Sequence, residues 1–458
     1  MLNFIKDKKT YFFLLLLLSI GIGLQIILYK IIIIALLLQW LLSVDYNKKL
    51  INLKNNTLTI GLIAFYLLYT VSYFWSDNKD VALYEIIFKS PLLILPLVVL
   101  SNYQLSSKKI NYIFLSFAFS NLLLNLICLI DAYAVFLKTG IIDEFYYGNF
   151  TINMHSAYQS MFTCFSIAVF VYLFVKEKII SKQLSYIVVT IQILFILLLS
   201  SRMQILIMIV IIPTYLISYY YKRKNILLGL LYTILIFGFS YLIISAPSTL
   251  KHRYTQTISN INIIGLENNS TNARKFIWSE GLELIKKNWL VGAGAGDVKN
   301  LLVSRYEELI LENPTHLHLV DSTKTQIEKN TNVIAYLRQK ALNDSINFDI
   351  MLRDYATEIL VAKNNHYKEA FARMYNFHNQ YLGTFGTVGI VGLLLLLYFL
   401  ITPIIISIKK RYYLAITFFF IVGASFLTES MLERQAGVSF FAFFYVLFIS
   451  RINQSKPF

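Results

Sequence analysis

Runs of about 20 mainly apolar residues recur along this chain, and they leave few folds open. A lipid core about 30 Å thick is crossed by roughly 20 helical residues, and a backbone in lipid must hydrogen-bond within its own helix. The runs fall at 11–28, 31–44, 58–75, 81–100, 110–137, 155–175, 184–201, 203–220, 226–245, 381–408, 412–428 and 437–450. The chain therefore reads as an all-α polytopic membrane protein with about twelve transmembrane helices. The pair within 11–44 also fits one hairpin that stops short of a full crossing. Composition agrees: 14% of the 458 residues are charged and 57% hydrophobic, against about 25% charged in soluble domains. A water-soluble enzyme, a disordered chain and a nucleic-acid-binding domain are excluded, despite the net charge of +16.

The first run follows Lys6, Lys8 and Lys9, as in a signal peptide. No small-residue cleavage site follows it, so it reads as an uncleaved first span. Cys128 and Cys164 both lie inside apolar runs, which leaves neither a disulfide framework nor a CxxC metal site.

Charge orients the spans. With the N-terminus in the cytoplasm, the inner segments carry 19 lysines and arginines and the short outer segments five: Lys30, Lys79, Lys138, Arg202 and Arg434. Each inner segment has at least two and each short outer one a single cation, which satisfies the positive-inside rule and puts both termini in the cytoplasm. Most of the net charge is thus a topology signal. Three parts follow: nine spans over 1–245, a polar outer segment over 246–380 and three last spans over 381–458. The outer segment holds 16 cations and 14 acids. A connection this long has structure of its own, and three or four helices are expected, one capped by Asn272 and stopping near Asn288, others over 331–375.

Polar groups at the outer ends of spans, or inside them, carry the functional information, because charge in lipid is costly. His378 precedes the tenth span by about one turn. Behind it Gly383, Gly386, Gly389 and Gly392 recur every third residue, which forms one ridge if the helix is continuous. Such a ridge serves close approach of another helix or a lipid chain, or helix packing alone. His155 either caps the sixth span or hydrogen-bonds a sugar. Glu85 and Lys89 are four apart and neutralise each other on one helix face. Arg202 is either an interfacial anchor or a phosphate ligand, and Arg274 either a surface ion pair or a phosphate ligand. GAGAG at 292–296 follows no strand and is expected to be a turn between loop helices, not a dinucleotide site. His316 and His318 lack a third clustered ligand for a metal.

His378-Asn379, nine residues, then Gly389-x-x-Gly392 resembles the signature of the O-antigen ligase superfamily, which includes O-antigen polymerases. Position 393 is Leu, where ligases often have Thr or Val. LLLSSR at 197–202 is similar to the family's short outer turn, and NARKFIWSEGLELIKKNWLVGAGAGD at 272–297 to its arginine-bearing amphipathic helix and glycine-rich turn. The resemblance covers most of the chain after about residue 57. It implies an inverting, metal-independent membrane glycosyltransferase without cofactor, placed in a bacterial inner membrane with the large helical loop in the periplasm. The donor would be a glycan on undecaprenyl diphosphate and the acceptor a sugar hydroxyl, on lipid A–core for a ligase. His378 would be the catalytic base and Arg202 and Arg274 the pyrophosphate ligands, with Asn379, His155 and Arg373 as further substrate contacts. Polymerases and protein O-oligosaccharyltransferases differ only in the acceptor. A flippase or transporter is disfavoured, because neither inverted repeats nor broken helices are visible in the sequence.

Overall fold

The computed structural model describes residues 8–43, 46–54, 56–102, 105–152, 154–221, 224–231, 233, 234, 238, 270–344 and 346–454. Among them, all regular structure is helical. The bundle before the large loop comprises α1 (Lys8–Leu24), α2 (Leu28–Leu42), α3 (Tyr46–Lys54), α4 (Thr57–Val71), α5 (Lys79–Phe88), α6 (Pro91–Ser101), α7 (Ser107–Thr139), α8 (Ser156–Val175), α9 (Lys182–Leu199) and α10 (Arg202–Tyr221). The loop holds α11 (Ser270–Lys287), α12 (Val298–Glu308), α13 (Leu317–Glu328), α14 (Thr331–Asn343) and α15 (Phe348–Ala372). The chain returns through α16 (Gln380–Lys409), α17 (Tyr413–Phe426) and α18 (Gln435–Gln454).

Among the described residues, seven segments are long and apolar enough to cross a membrane: Thr57–Phe74, Lys79–Ser101, Ser107–Thr139, Ser156–Val175, Lys182–Leu199, Gln380–Lys409 and Gln435–Ile452. Leu28–Leu42, Arg202–Ile217 and Tyr413–Phe426 are apolar but shorter. The interval 226–245 lies largely outside the described residues, as does 246–269. The interval 81–100 is divided between two helices: α5 stops at Phe88, and Pro91, without an N–H to donate, begins α6.

Local chemistry sets the other ends. Asn56, Asn78, Ser106 and Ser181 accept from backbone amides two to three residues into α4, α5, α7 and α9, as N-cap side chains do. Gly140, at φ +68°, closes α7. Ser200, at φ +51°, ends α9 and turns the chain into α10 two residues later.

Helices α8 and α18 form the centre, with 83% and 78% of their apolar windows buried. Phenylalanines fill the seam between them: Phe162 stacks on Phe440 at 4.2 Å and Phe165 meets Phe444 at 4.8 Å. A polar network crosses α7, α8 and α9 at the same depth. Asn125 donates to Thr163 (3.0 Å) and Gln192 (2.8 Å), and receives Gln159 (2.8 Å). All four side chains are buried. Interhelical bonds of this kind contribute about 0.6 kcal/mol each on average inside membranes.

The loop corrects three expectations. It contains five described helices instead of three or four, and the first begins at Ser270, so Asn272 lies inside α11 and not at its cap. The four-glycine ridge is interrupted, because α16 breaks at Val388 and Gly389 (φ +69°, ψ −166°). A broken helix is therefore present where none was expected. The glycine-rich turn after α11 fills the break: Ala293 N donates to Gly386 O (2.8 Å), Gly294 N to Thr387 O (2.9 Å), and Ile390 N to Trp289 O (2.9 Å). Backbone groups freed by the break are thus re-paired inside protein, as lipid demands. Loop backbone comes close to Gly389, and the Phe377 ring and Val298 of α12 to Gly386. A Cβ on Gly292 would stand 2.3 Å from Thr387 O, one on Gly389 2.1 Å from Leu290 O, and one on Gly386 2.9 Å from the Phe377 ring.

The same turn grips the bundle's α4–α5 connection. Ala295 and Gly296 donate to Ser72 and Ser76, and the Asp297 carboxylate accepts from Asp77 N (2.7 Å) and Asn78 N (2.9 Å). GAGAG is accordingly a turn between loop helices, and its glycines permit this backbone approach. Phe377, held between Gly281 and Gly386 and capped by Trp278 donating to its carbonyl (2.9 Å), fixes the residue just before His378.

Candidate functional site

Where the loop rejoins the bundle, a cavity of about 560 Å³ opens. Its wall comes from the α1–α2 connection, α5, the start of α8, α12, the segment before α16 and the α17–α18 connection. These all lie at the end of the bundle to which charge counting assigned the outer segments.

His378 stands in this wall at φ +44°, a left-handed conformation uncommon for residues other than Gly. Asn376 holds it there by accepting from its amide at 2.9 Å, and Tyr375 packs edge-on against its ring at 5.1 Å. Its Nδ1 lies 3.3 Å from Glu429 Oε2. The other oxygen of Glu429 receives Arg274 Nη2 at 2.9 Å. One carboxylate thus bridges the histidine before α16 and the arginine of α11.

Burial pushes the Glu429 carboxyl up, but the hydrogen bond and charge of His378, then the charge of Arg274, outweigh it and hold the group below its ordinary range. Glu433, one turn further, behaves oppositely. Burial raises it beyond what Lys89 offsets, and Asn376 Nδ2 donates to it. Two carboxyls four residues apart are driven towards different protonation states.

His155 caps its helix, as one of its two readings expected, and also lines the cavity. Its Nδ1 accepts from Ala157 N at 3.3 Å, capping α8, and the ring lines the cavity. Burial lowers its pKa, which favours the neutral ring. Glu85 pairs with Lys89, as its spacing implied, and also reaches the cavity.

Three candidates lie elsewhere. Asn379 caps α16, accepting from Leu382 N (3.1 Å) and donating to Leu427 O (3.1 Å), and is buried outside the cavity wall. Arg373 ends α15 and pairs with Glu369 at 3.2 Å on the surface. Arg202 opens α10, half-buried, and is not among the residues lining the cavity. Of the expected pair, Arg274 is joined to His378 only through Glu429, and neither arginine lines the cavity; the arginine in the cavity wall is Arg434.

Glu429, Glu433, Asn376 and Arg434 were not singled out from sequence. A signal was available for Glu429, Glu433 and Arg434: two acids and an arginine in the eight-residue connection before the last span, on the same side as His378 by topology. Among the described residues no group of three His, Cys, Asp or Glu side chains could hold a metal ion, and His316 and His318 only face each other at 6.2 Å.

No curated protein matches the chain. The family model described as O-antigen ligase matches residues 186–320, about three-tenths of the sequence. That segment contains Arg202, Arg274 and the glycine-rich turn, and the motif at His378 follows it. Over that segment the chain is similar to the O-antigen ligase family.

Proposed function

We propose that the protein is a membrane glycosyltransferase that moves a glycan from undecaprenyl diphosphate to a sugar hydroxyl, with lipid A–core as acceptor. It would sit in a bacterial inner membrane with the cavity facing the periplasm. The observation that carries this reading is the Arg274–Glu429–His378 chain, whose Glu429 and His378 line a sugar-sized cavity. Ligand sites typically enclose about 300–1,000 Å³.

The chemistry follows from these groups. With Nδ1–H directed at Glu429, His378 keeps Nε2 as a base for the acceptor hydroxyl, and an ionised carboxylate stabilises the imidazolium that forms. Diphosphate leaves from the anomeric carbon as the hydroxyl oxygen attacks from the opposite face, which inverts configuration. The leaving group needs fixed positive charge rather than a proton. Arg274 gives one of its five N–H groups to Glu429 and has others free for phosphate oxygens. Arg202 is the second proposed diphosphate ligand, by its place in the family motif.

The test is transfer by purified protein in nanodiscs, supplied with undecaprenyl-diphosphate-linked glycan and lipid A–core. Product formation that disappears in His378→Ala supports the reading. Transfer only to a second lipid-linked repeat unit would make the protein a polymerase, and to a polypeptide a protein-glycosylating enzyme. Full transfer by His378→Ala would remove the base assignment.

A further inference from the structure

The cavity contains more positive charge than the Arg274–Glu429–His378 chain uses. Lys30 from the α1–α2 end, Lys299 from α12 and Arg434 from the α17–α18 connection all line it. Among the described residues none of the three has an ion pair or a side-chain hydrogen bond, whereas every carboxylate of the wall is engaged. Glu85 pairs with Lys89, and Glu429 with Arg274 and His378. Glu433 receives Asn376 and is pushed by burial towards its neutral form. Lys299 is near enough to act on Glu433 electrostatically but is outside ion-pair distance. Arg434 acts in the same way on His155 and Tyr158.

A sphere of 560 Å³ is about 10 Å across. Three cations on such a wall, Lys299 and Arg434 exposed and Lys30 half-buried, concentrate positive potential along it. An entering anion would be attracted to all three. The remaining wall suits a sugar: Tyr84, Phe88 and Tyr158 supply rings, and the buried hydroxyl of Ser430 has no partner among the described residues.

We propose that Lys30, Lys299 and Arg434 form an anion subsite, distinct from the Arg274 pair, which binds a carboxylate or phosphate carried on the sugar, so that the glycan taken by this site is acidic. The proposal rests on the transferase reading for its biological meaning. The donor's diphosphate is the competing source of negative charge, and it is assigned to Arg274 because that guanidinium stands one carboxylate away from His378.

Full-length protein in nanodiscs would be titrated calorimetrically with a glucuronate-containing disaccharide, its neutral counterpart and inorganic pyrophosphate. The acidic disaccharide should bind at least about tenfold more tightly than the neutral one at low salt. Arg434→Gln and Lys299→Gln should each remove most of that preference, while Arg434→Lys keeps part of it and verifies that the protein is folded. Pyrophosphate binding should survive Arg434→Gln and fall in Arg274→Gln. Equal binding of the two disaccharides, no measurable binding of the acidic one, or a parallel loss of pyrophosphate in Arg434→Gln overturns the subsite. Failure of the transferase reading looks different: the acidic preference persists in wild type and in His378→Ala, while no glycan is transferred by either.

Discussion

Glu429 Oε2 lies 3.3 Å from the Nδ1 of His378, and the same carboxylate receives Arg274. The contact joins the last inter-helix connection to the segment that opens α16, so the histidine is oriented from the opposite side of the large loop. Glu429→Gln keeps the shape but removes the charge that favours an Nδ1–H tautomer. Transfer is expected to fall by at least about tenfold, against roughly 10²–10⁴-fold for His378→Ala. The KM for donor should also shift in Glu429→Gln, because the same carboxylate holds Arg274. A variant with unaltered rate would show that the contact does not orient the base.

Arg274 is expected to tolerate Lys poorly. A lysine retains charge but cannot hold Glu429 and phosphate oxygens with one planar fork. Arg274→Lys should recover only a fraction of the transfer lost in Arg274→Ala, mainly through a raised KM for the lipid-linked donor. Steady-state kinetics on both variants decide it, and full recovery by Lys would reduce the guanidinium to a point charge.

The joint between the glycine-rich turn and the broken α16 makes a structural prediction. Gly292 and Gly389 have φ of +76° and +69°, and a Cβ on either would meet backbone at 2.3 or 2.1 Å. Neither neighbour can move without opening the hydrogen bonds that close the break. Gly292→Ala and Gly389→Ala should each lower stability by about 1–3 kcal/mol from backbone strain alone, and transfer should fall with them because Phe377 and His378 are set by this joint. A Cβ on Gly148 meets nothing within 4 Å, so Gly148→Ala should stay within about 0.5 kcal/mol of wild type. Thermal melts of the three variants in detergent make the comparison.

Hydrophobic run length located the helices well, because lipid imposes one length and one backbone solution on every span. It did not show the division at Lys89–Pro91 or the break at Gly389. Both lie inside runs read as single spans, and the break is stabilised by hydrogen bonds from residues 289–294, about a hundred positions earlier. His378, His155 and Arg274 were visible as polar groups at span ends or in motifs. Glu429 was not, since its significance lies in two partners, 51 and 155 residues away in sequence, that only the folded loop brings to it.

The two carboxyls of the α17–α18 connection should give stability profiles of opposite slope. Glu429 is held below its ordinary pKa, so its stabilising contribution is complete above about pH 4.3, the unfolded value, and is lost as pH falls through the folded one. The melting-temperature difference between wild type and Glu429→Gln should therefore be flat from pH 8 to about 5 and shrink below about 4. Glu433 is raised, so the folded state holds its proton more tightly than the unfolded chain. Its contribution is present below the unfolded value and is lost as pH rises towards the folded one. Glu433→Gln keeps an acceptor for Asn376 and cannot ionise, so its stability relative to wild type should improve as pH rises above about 4. Paired melts across pH read both differences at once. If they moved in the same direction, one ionised and one neutral carboxyl beside His378 would no longer describe this site.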